Sequence, residues 1–189
     1  MLVKIIARIL SHIWYFSPKA KRLAKRFQIE SWLYGRRVRR IAKSVGPVLT
    51  MHKASVVSPT TTIGNYCALS GVRIFGQGEV TIGDHTFIGD ETIIFSQNHN
   101  YDTDYKIPLG SKWVLKPVRI DDCVLIFTRC ILLPGTHIGE GAIIQAGSVV
   151  HGEIPPFAIA GGNPAKVFAW RDKAHYEERK AKKAFARGV

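Results

Sequence analysis

Aliphatic residues recur every six positions through the middle of the chain, in three blocks. The residue four places after an aliphatic position is usually small, and glycine often follows the aliphatic residue directly. An α-helix repeats every 3.6 residues and a β-strand every two, so neither element predicts an aliphatic residue at every sixth position. The aliphatic positions are Ile63 and Leu69; Ile82, Ile88 and Ile94; and Ile120, Ile126, Leu132, Ile138, Ile144 and Val150.

This repeat predicts a parallel β-helix with a triangular cross-section, which is an all-β solenoid. Each hexapeptide forms one side and one corner, and stacked coils bury a continuous aliphatic column. Glycine is expected where a side chain would obstruct the turn, as at Gly89. The small residues are expected to pack beside the column, which makes Cys67 and Cys130 core residues rather than nucleophiles. The small positions are Cys67, Thr86, Thr92, Val124, Cys130, Thr136, Ala142 and Ser148.

The repeat breaks at two places. Leu69 and Ile82 are 13 residues apart, and Gly71, Gly76 and Gly78 between them predict a local bulge. The 26 residues from Ile94 to Ile120 contain a segment, 95–117, that does not follow the repeat. Long loops in compact domains are commonly functional, so this segment is predicted to carry the chemistry.

The N-terminal 16 residues predict an amphipathic helix, because their apolar residues are three and four positions apart. Charges interrupt this stretch, which disfavours a transmembrane helix, and no cleavage motif follows it, which disfavours a signal peptide. The stripe consists of Leu2, Ile5, Ile6, Ile9, Ile13 and Phe16. The basic residues that follow it are Lys19, Lys21, Arg22, Lys25, Arg26, Arg36, Arg37, Arg39, Arg40 and Lys43.

The net charge of +13 is concentrated at the two ends of the chain. Residues 1–50 carry +11, residues 51–170 carry −2 and residues 171–189 carry +4. The basic N-terminal segment suits an anionic bilayer, where each near-surface cation contributes about 1 kcal/mol. Packing on the body or on another copy is the alternative. Nucleic acid is disfavoured because no recognised binding module accompanies the charge.

The amino-acid composition disfavours several classes of protein. A content of 46% hydrophobic residues excludes a disordered chain. Three cysteines without a CxxC pair argue against a disulfide scaffold and a cysteine zinc site, and indicate a reducing, cytoplasmic compartment. Within the repeat, His85 and His137 are expected to point outward into solvent.

Three stretches give the chain a resemblance to the hexapeptide-repeat acyltransferases, such as the maltose, galactoside and serine O-acetyltransferases. They are IGDHTFIGDETI from Ile82, SQNHNYD from Ser96, and the run from Leu132 through GNPAKV to Val167. The resemblance covers about residues 55–170. It implies a left-handed coil, a homotrimer and acetyl-CoA as acyl donor, with no metal.

The resemblance also implies site residues. His99 is expected to be the catalytic base, because an imidazole titrates near neutral pH and can take a hydroxyl proton. Asp90, Glu91, Asn98 and Asp102 lie near His99 along the chain, in the repeat or the loop, and this nearness rather than the resemblance predicts that they bind the acceptor or orient the imidazole. No residue is spaced to form a covalent acyl-enzyme, so direct attack is expected.

The donor residues follow in the same way. The pantetheine arm of CoA is expected to pass Thr128, Ala146, Gly147 and Ser148. The cations Lys166 and Arg171 are expected to bind the phosphates of CoA.

Three departures from the family pattern bear on these sites. VVTKD is replaced by VVHGE, with His151 and Gly152, which removes or moves a phosphate contact. VWIG is replaced by a sequence ending in Phe127, a bulky ring beside the expected donor path. The stretch from Leu69 to Gly71 lacks the asparagine that maltose and galactoside enzymes use, which argues against those two substrates.

The sequence therefore predicts a basic helical extension (1–50), a solenoid (51–170) and a C-terminal helix (171–189). The expected function is acetyl transfer to a hydroxyl of a cell-surface polysaccharide or its lipid-linked precursor. If the basic extension binds lipid, the protein is expected at the cytoplasmic face of the membrane as a peripheral protein. Alternatives are N-acetylation of a nucleotide-linked amino sugar and a non-catalytic scaffold. A carbonic-anhydrase-like metal protein is disfavoured, since His99 has no histidine partner in register.

Overall fold

The computed structural model describes residues 18–102 and 106–186. The apolar stripe predicted in the first 16 residues lies outside these. Helix α1 (Pro18–Ile41) opens the described chain, and helix α2 (Lys173–Ala181) lies near its end. Between them, short parallel strands form three faces of a prism, so the predicted parallel β-helix with two flanking helices is confirmed. No helix in the described ranges is both long and apolar enough to cross a bilayer.

The three faces are sheets whose strands come from successive coils. Face A consists of β1 (Ser44–Val45), β3 (Thr61–Ile63), β6 (Val80–Ile82), β11 (Val118–Ile120), β14 (His137–Ile138) and β17 (Glu153–Ile154). Face B consists of β2 (Leu49–Lys53), β4 (Cys67–Ser70), β7 (Phe87–Ile88), β12 (Leu125–Ile126), β15 (Ile143–Ile144), β18 (Ala158–Gly162) and β19 (Ala165–Trp170). Face C consists of β5 (Arg73–Phe75), β8 (Ile93–Phe95), β13 (Ile131–Leu132) and β16 (Val149–Val150).

The register stacks each predicted aliphatic residue on its counterpart in the next coil. Ile82 pairs with Ile120 on face A, and Ile88 pairs with Ile126 on face B. All eleven predicted aliphatic positions are at most 2% exposed, and all eight small positions are buried beside them. Burying one such aliphatic side chain stabilises the fold by about 1.5–3 kcal/mol, so the column is the main source of stability.

The faces meet at edges where the backbone turns through a residue with positive φ. The A/B edge contains Tyr66, His85, Cys123, Gly141 and Phe157. The B/C edge contains Gly71, Glu91, Arg129 and Gly147, and the C/A edge contains Gly76, Gly135 and Gly152. Gly89, at the end of β7, confirms the predicted need for glycine, since a Cβ there would lie 2.8 Å from the backbone of Phe127 and Thr128.

The first break in the repeat is a redistribution of residues between two sides. Ile74 is the inward residue of face C, five positions after Leu69 and eight before Ile82. The glycines of the predicted bulge are therefore divided between two edges, with Gly71 at the B/C edge and Gly76 at the C/A edge.

The solenoid also starts earlier than the predicted residue 51. β1 pairs with β3 and β2 with β4, so residues 44–50 form part of the first coil. Helix α1 packs on that coil, with Val38 buried in the core cluster, and covers the N-terminal end of the column. At the other end, β18 and β19 form an antiparallel pair.

Candidate active site

The segment 95–117 leaves the solenoid as a hairpin at the C/A edge. Strands β9 (Gln97–His99) and β10 (Trp113–Leu115) pair antiparallel, with His99 opposite Trp113. The Lys116 amide donates to the Ser96 carbonyl over 3.0 Å and closes the base. A Cβ on Gly78 in the preceding coil would collide with that carbonyl oxygen. The hairpin is thus anchored at its root by a close approach that only glycine allows.

His99 is exposed on the hairpin, and its ring lies against the Trp113 ring. The ring centroids are 3.8 Å apart and the planes are tilted by 34°. Within the described ranges, no side chain or backbone group is hydrogen-bonded to the His99 ring. One face of the imidazole is therefore covered, while neither nitrogen has a hydrogen-bond partner among residues 18–102 and 106–186.

The other predicted acceptor residues in the hairpin lie close to His99 along the chain. Asn98 is exposed on β9 opposite Val114. The Asn100 amide donates to the Lys112 carbonyl over 3.1 Å, and the Asn100 side chain accepts from the Asp102 amide over 3.2 Å. Asn100 thereby orders the chain that carries the exposed Asp102.

Asp90 and Glu91 lie elsewhere, at the B/C edge between β7 and β8. Asp90 forms an ion pair with Lys53, and Glu91 forms one with Arg129 over 2.7 Å. Neither carboxylate hydrogen-bonds to His99 in the described structure. The prediction that one of them orients the imidazole thus has no contact to support it within one copy.

The predicted pantetheine residues also lie at the B/C edge, in the next coils. The Gly147 amide donates to the Thr128 carbonyl over 2.9 Å. Thr128, Ala146 and Gly147 are exposed, and a Cβ on Gly147 would meet nothing within 4 Å. The hydroxyl of the buried Ser148 instead donates to the Gln145 carbonyl over 2.6 Å and accepts from the Gly162 amide over 3.2 Å. This edge therefore offers an open, small-residue surface.

The two predicted phosphate-binding cations are in different surroundings. Lys166 is exposed on β19, opposite Gly161. Arg171 is half-buried at the A/B edge, where its amide donates to the Phe157 carbonyl over 2.8 Å and its guanidinium lies 5.7 Å from the centre of the Tyr176 ring. It lines a cavity of about 460 Å³ beneath α2. Lys166 is the more accessible of the two.

The cysteines fit the core prediction. Burial raises the pKa of the Cys67 thiol to about 11 and also raises the pKa of Cys130. Cys123 is half-buried at the A/B edge, where burial raises its pKa too. Across the described chain, no three His, Cys, Asp or Glu side chains are gathered closely enough to hold a metal ion.

The prediction that His85 is solvated is wrong, whereas the side chain of His137 stays partly exposed. His85 is stacked between two rings, with centroid distances of 5.0 Å to Tyr66 and 3.9 Å to Phe185. His137 Nε2 is 3.0 Å from a carboxylate oxygen of Asp121. Both side chains point outward, and Phe185, from the end of the described chain, covers His85.

Sequence reasoning missed three residues that touch the predicted site. Trp113 covers His99, while Lys53 and Arg129 hold Asp90 and Glu91. The run Trp113–Leu115 is rich in strand-forming residues, and this signal could have predicted a second strand in the segment. The ion pairs span 37 and 38 residues and have no local signal.

Comparisons with known proteins agree with this architecture. No family model matches the chain. It is similar to YvoF from Bacillus subtilis, provisionally named an acetyltransferase, with 33% identity over 95 residues, which are 50% of each chain. It is also 30% identical over 115 residues to galactoside O-acetyltransferase from Escherichia coli, covering 59% of this chain and 56% of that one. The aligned region thus spans about half the length of these relatives.

Solved structures share the fold. A hexapeptide-repeat acetyltransferase from Vibrio cholerae O1 biovar eltor, complexed with acetyl coenzyme A, has a TM-score of 0.65 and 23% identity, covering 82% of this chain and 91% of that one. A variant of an N-acyltransferase from Bacillus cereus, complexed with dTDP-4-amino-4,6-dideoxyglucose and coenzyme A, has a TM-score of 0.60 and 20% identity, covering 80% and 96%. At these identities the likeness concerns the fold alone.

Proposed function

We propose that this chain, whose predicted resemblance to the hexapeptide-repeat acyltransferases is confirmed by its relatives and its fold, transfers an acetyl group from acetyl-CoA to a sugar hydroxyl. The observation that carries the proposal is His99, exposed on a hairpin that is anchored in the solenoid and stacked on Trp113. A cell-surface polysaccharide or its lipid-linked precursor is the proposed acceptor class.

His99 is the proposed general base. Its imidazole takes the proton of the acceptor hydroxyl as that oxygen attacks the thioester carbonyl carbon. A C–O bond forms, the C–S bond breaks, and the imidazolium returns the proton to the leaving thiolate of CoA. No covalent acyl-enzyme is needed, so the rate depends on holding donor and acceptor together.

Trp113 is the proposed positioning residue for His99. Its ring lies against one face of the imidazole and limits the rotation of the His99 side chain. Tyr101, which is 76% exposed, adds a second aromatic ring to this surface. Aromatic faces beside the amide of Asn98 and the carboxylate of Asp102 offer apolar contact together with hydrogen-bond donors and acceptors, which suits a sugar ring.

The B/C edge is the proposed donor surface. Thr128, Ala146 and Gly147 leave room for the pantetheine arm to approach the backbone, and Lys166 supplies a positive charge for the phosphates. Phe127 directly precedes Thr128 and is 43% exposed, so its ring belongs to the surface beside the proposed path.

The acceptor hairpin and the donor surface lie on different edges of one copy, and we propose that a homotrimer brings them together. The outward-pointing side chains support this proposal, because they are polar on face A and mostly apolar on faces B and C. Face A presents Thr62, Thr81, Arg119, His137 and Glu153. Face B presents Phe87, Leu125, Ile143 and Ile159, of which the first two also line the cavity beneath α2. Face C presents Ile93, Ile131 and Val149 beyond the outward Arg73 of an earlier coil. Two apolar faces on each copy are what a closed ring of copies requires.

An amine acceptor is the second candidate. The Bacillus cereus N-acyltransferase, whose structure was solved with an amino-sugar nucleotide, shares the fold over 80% of this chain. The same base and donor surface would serve an amine, so the acceptor must be identified by assay.

The test combines acetyl-CoA binding by calorimetry with thiol release against a panel of sugars and nucleotide-linked amino sugars. We expect the wild type, His99→Ala and the control His137→Ala to bind acetyl-CoA. Turnover should fall by about 10²–10⁴-fold in His99→Ala only. Undiminished turnover in His99→Ala would remove His99 as the base. If none of the three proteins binds the donor, the scaffold alternative takes first place.

A further inference from the structure

The inner face of α1 is fixed on the first coil of the solenoid. Val38 is buried, and the Ser31 hydroxyl accepts a hydrogen bond from the Met51 amide over 2.9 Å. The Arg39 guanidinium donates to the carbonyls of Val45, Gly46 and Pro47 over 3.2, 2.8 and 2.9 Å. These contacts set the rotation of the helix about its axis, so its opposite side is turned away from the solenoid.

That opposite side combines large apolar side chains with cations. Ile29, Trp32 and Leu33 are 52%, 58% and 51% exposed. The Arg36 guanidinium lies 4.8 Å from the centre of the Trp32 ring. Spacings of three and four residues place these side chains on one stripe of the helix. We define the outer face of α1 as Lys25, Ile29, Trp32, Leu33, Arg36, Arg37 and Arg40.

The positive charge of the outer face is not neutralised within the described chain. Glu30, the single acidic residue between 18 and 41, forms an ion pair with Arg26 over 2.8 Å. No acidic side chain in the described ranges pairs with Lys25, Arg36, Arg37 or Arg40. Residues 18–41 carry nine Lys and Arg against that one Glu.

From this combination we infer that the outer face of α1 binds the surface of an anionic lipid bilayer. Basic helices with tryptophan and aliphatic residues on one face lie in the membrane interface, where the rings and aliphatic groups enter the acyl boundary and the cations meet the headgroups. A nucleic acid would satisfy the cations but leave Ile29 and Leu33 in water. A two-fold contact with a second copy would place two such basic helices against each other, which like-charge repulsion opposes.

The groove beside α1 extends the cationic surface. It has a volume of about 510 Å³ and lies between the helix and the start of β2. Its walls include Trp32, Arg36 and Arg39, so a lipid phosphate entering it would meet two guanidinium groups of α1. The outer face shares no residue with the hairpin of His99 or with the donor surface, so lipid binding and acetyl transfer can be tested separately.

The test measures co-sedimentation of the full chain with vesicles. One set contains phosphatidylcholine alone and the other contains equal parts of phosphatidylcholine and phosphatidylglycerol. The variant is the triple charge reversal Arg36→Glu, Arg37→Glu, Arg40→Glu. The matched control is Lys173→Glu, Arg179→Glu, Lys183→Glu, which reverses three exposed cations at the other end of the chain. Circular dichroism melts check that all proteins fold.

We expect the wild type and the control to bind only the phosphatidylglycerol vesicles. Binding by the α1 variant should fall on the order of a hundredfold, because each near-surface cation contributes a factor of about five. A second variant, Ile29→Ser, Trp32→Ser, Leu33→Ser, keeps the charge and should also lose binding. Loss of vesicle binding by this variant distinguishes membrane insertion from charge attraction alone.

Three outcomes would overturn the proposal. Unchanged binding by the α1 variant would assign lipid contact to another surface, including residues 1–17. An equal loss in the control would mean that net charge alone governs binding. A wild type that ignores both vesicle types, and whose molecular mass in solution falls in the serine variant, would make the outer face a contact between copies.

Discussion

The aliphatic column inside the solenoid and the hairpin of His99 are continuous in sequence but differ in burial. Ile94 is fully buried and stacked on Leu132, whereas Trp113, Val114 and Leu115 are 45%, 37% and 48% exposed. The coils on either side of the hairpin keep their register, since Ile120 still pairs with Ile82. The solenoid thus continues as though the hairpin were absent.

Because of this difference, the column provides the stability of the fold and the hairpin is available for the chemistry. Parallel strands need only their neighbours in the adjacent coils, so a corner can be replaced by a long excursion without disturbing the column. The side chains of the hairpin are then free to serve a substrate. Changes in the column should alter stability, and changes in the hairpin should alter turnover.

The largest effect is expected inside the column. Ile94→Ala removes a fully buried side chain and should lower the free energy of unfolding by about 2–5 kcal/mol, because the rigid column cannot close the cavity. Val114→Ala, in the exposed hairpin, should cost less than about 0.5 kcal/mol. Denaturant titrations of both variants measure the contrast. Equal losses would mean that the hairpin also supports the fold.

Thiol labelling tests whether the column stays closed. Burial raises the pKa of Cys67 to about 11, so its thiol remains protonated at pH 8. Cys67 and Cys130 should react with iodoacetamide more than about tenfold slower than Cys123, which is half-buried at the A/B edge. Mass spectrometry of peptides identifies the sites. Faster labelling of Cys67 than of Cys123 would show that the coils open locally.

A smaller effect is expected in the hairpin at Trp113. Trp113→Ala should lower kcat by about tenfold through loss of the ring that positions His99, whereas Trp113→Phe should retain most of it. The KM for acetyl-CoA should not change, and neither should the melting temperature. A change confined to KM would make Trp113 a binding residue rather than a positioning residue.

Features of period six could be predicted because they are local. A side chain at Ile88 needs only its own hexapeptide to point inward, and glycine at Gly89 reflects the same turn in every coil. A break between Leu69 and Ile82 was predicted, but the inward residue Ile74 was not, because five residues on one side and eight on the next fit no fixed period.

The rest depends on contacts between distant residues. Phe185 covers His85 from 100 positions away, and Lys53 holds Asp90 from the first coil. No local pattern encodes such pairs. The hairpin was predicted as a loop, since the pairing of His99 with Trp113 depends on how the two arms of one excursion meet. The acceptor residues were predicted from their nearness to His99 along the chain, and the donor residues from the family resemblance. Both stay predictions.

The central claim is that the hairpin of one copy and the B/C edge of another form one site. Its most direct test mixes two inactive variants, His99→Ala and Ala146→Trp, by co-expression, and measures thiol release from acetyl-CoA. Random assembly of trimers leaves about a quarter of the shared sites with both halves intact, so about a quarter of the wild-type activity should return. If the mixture stays as inactive as either variant alone, the two halves do not meet between copies.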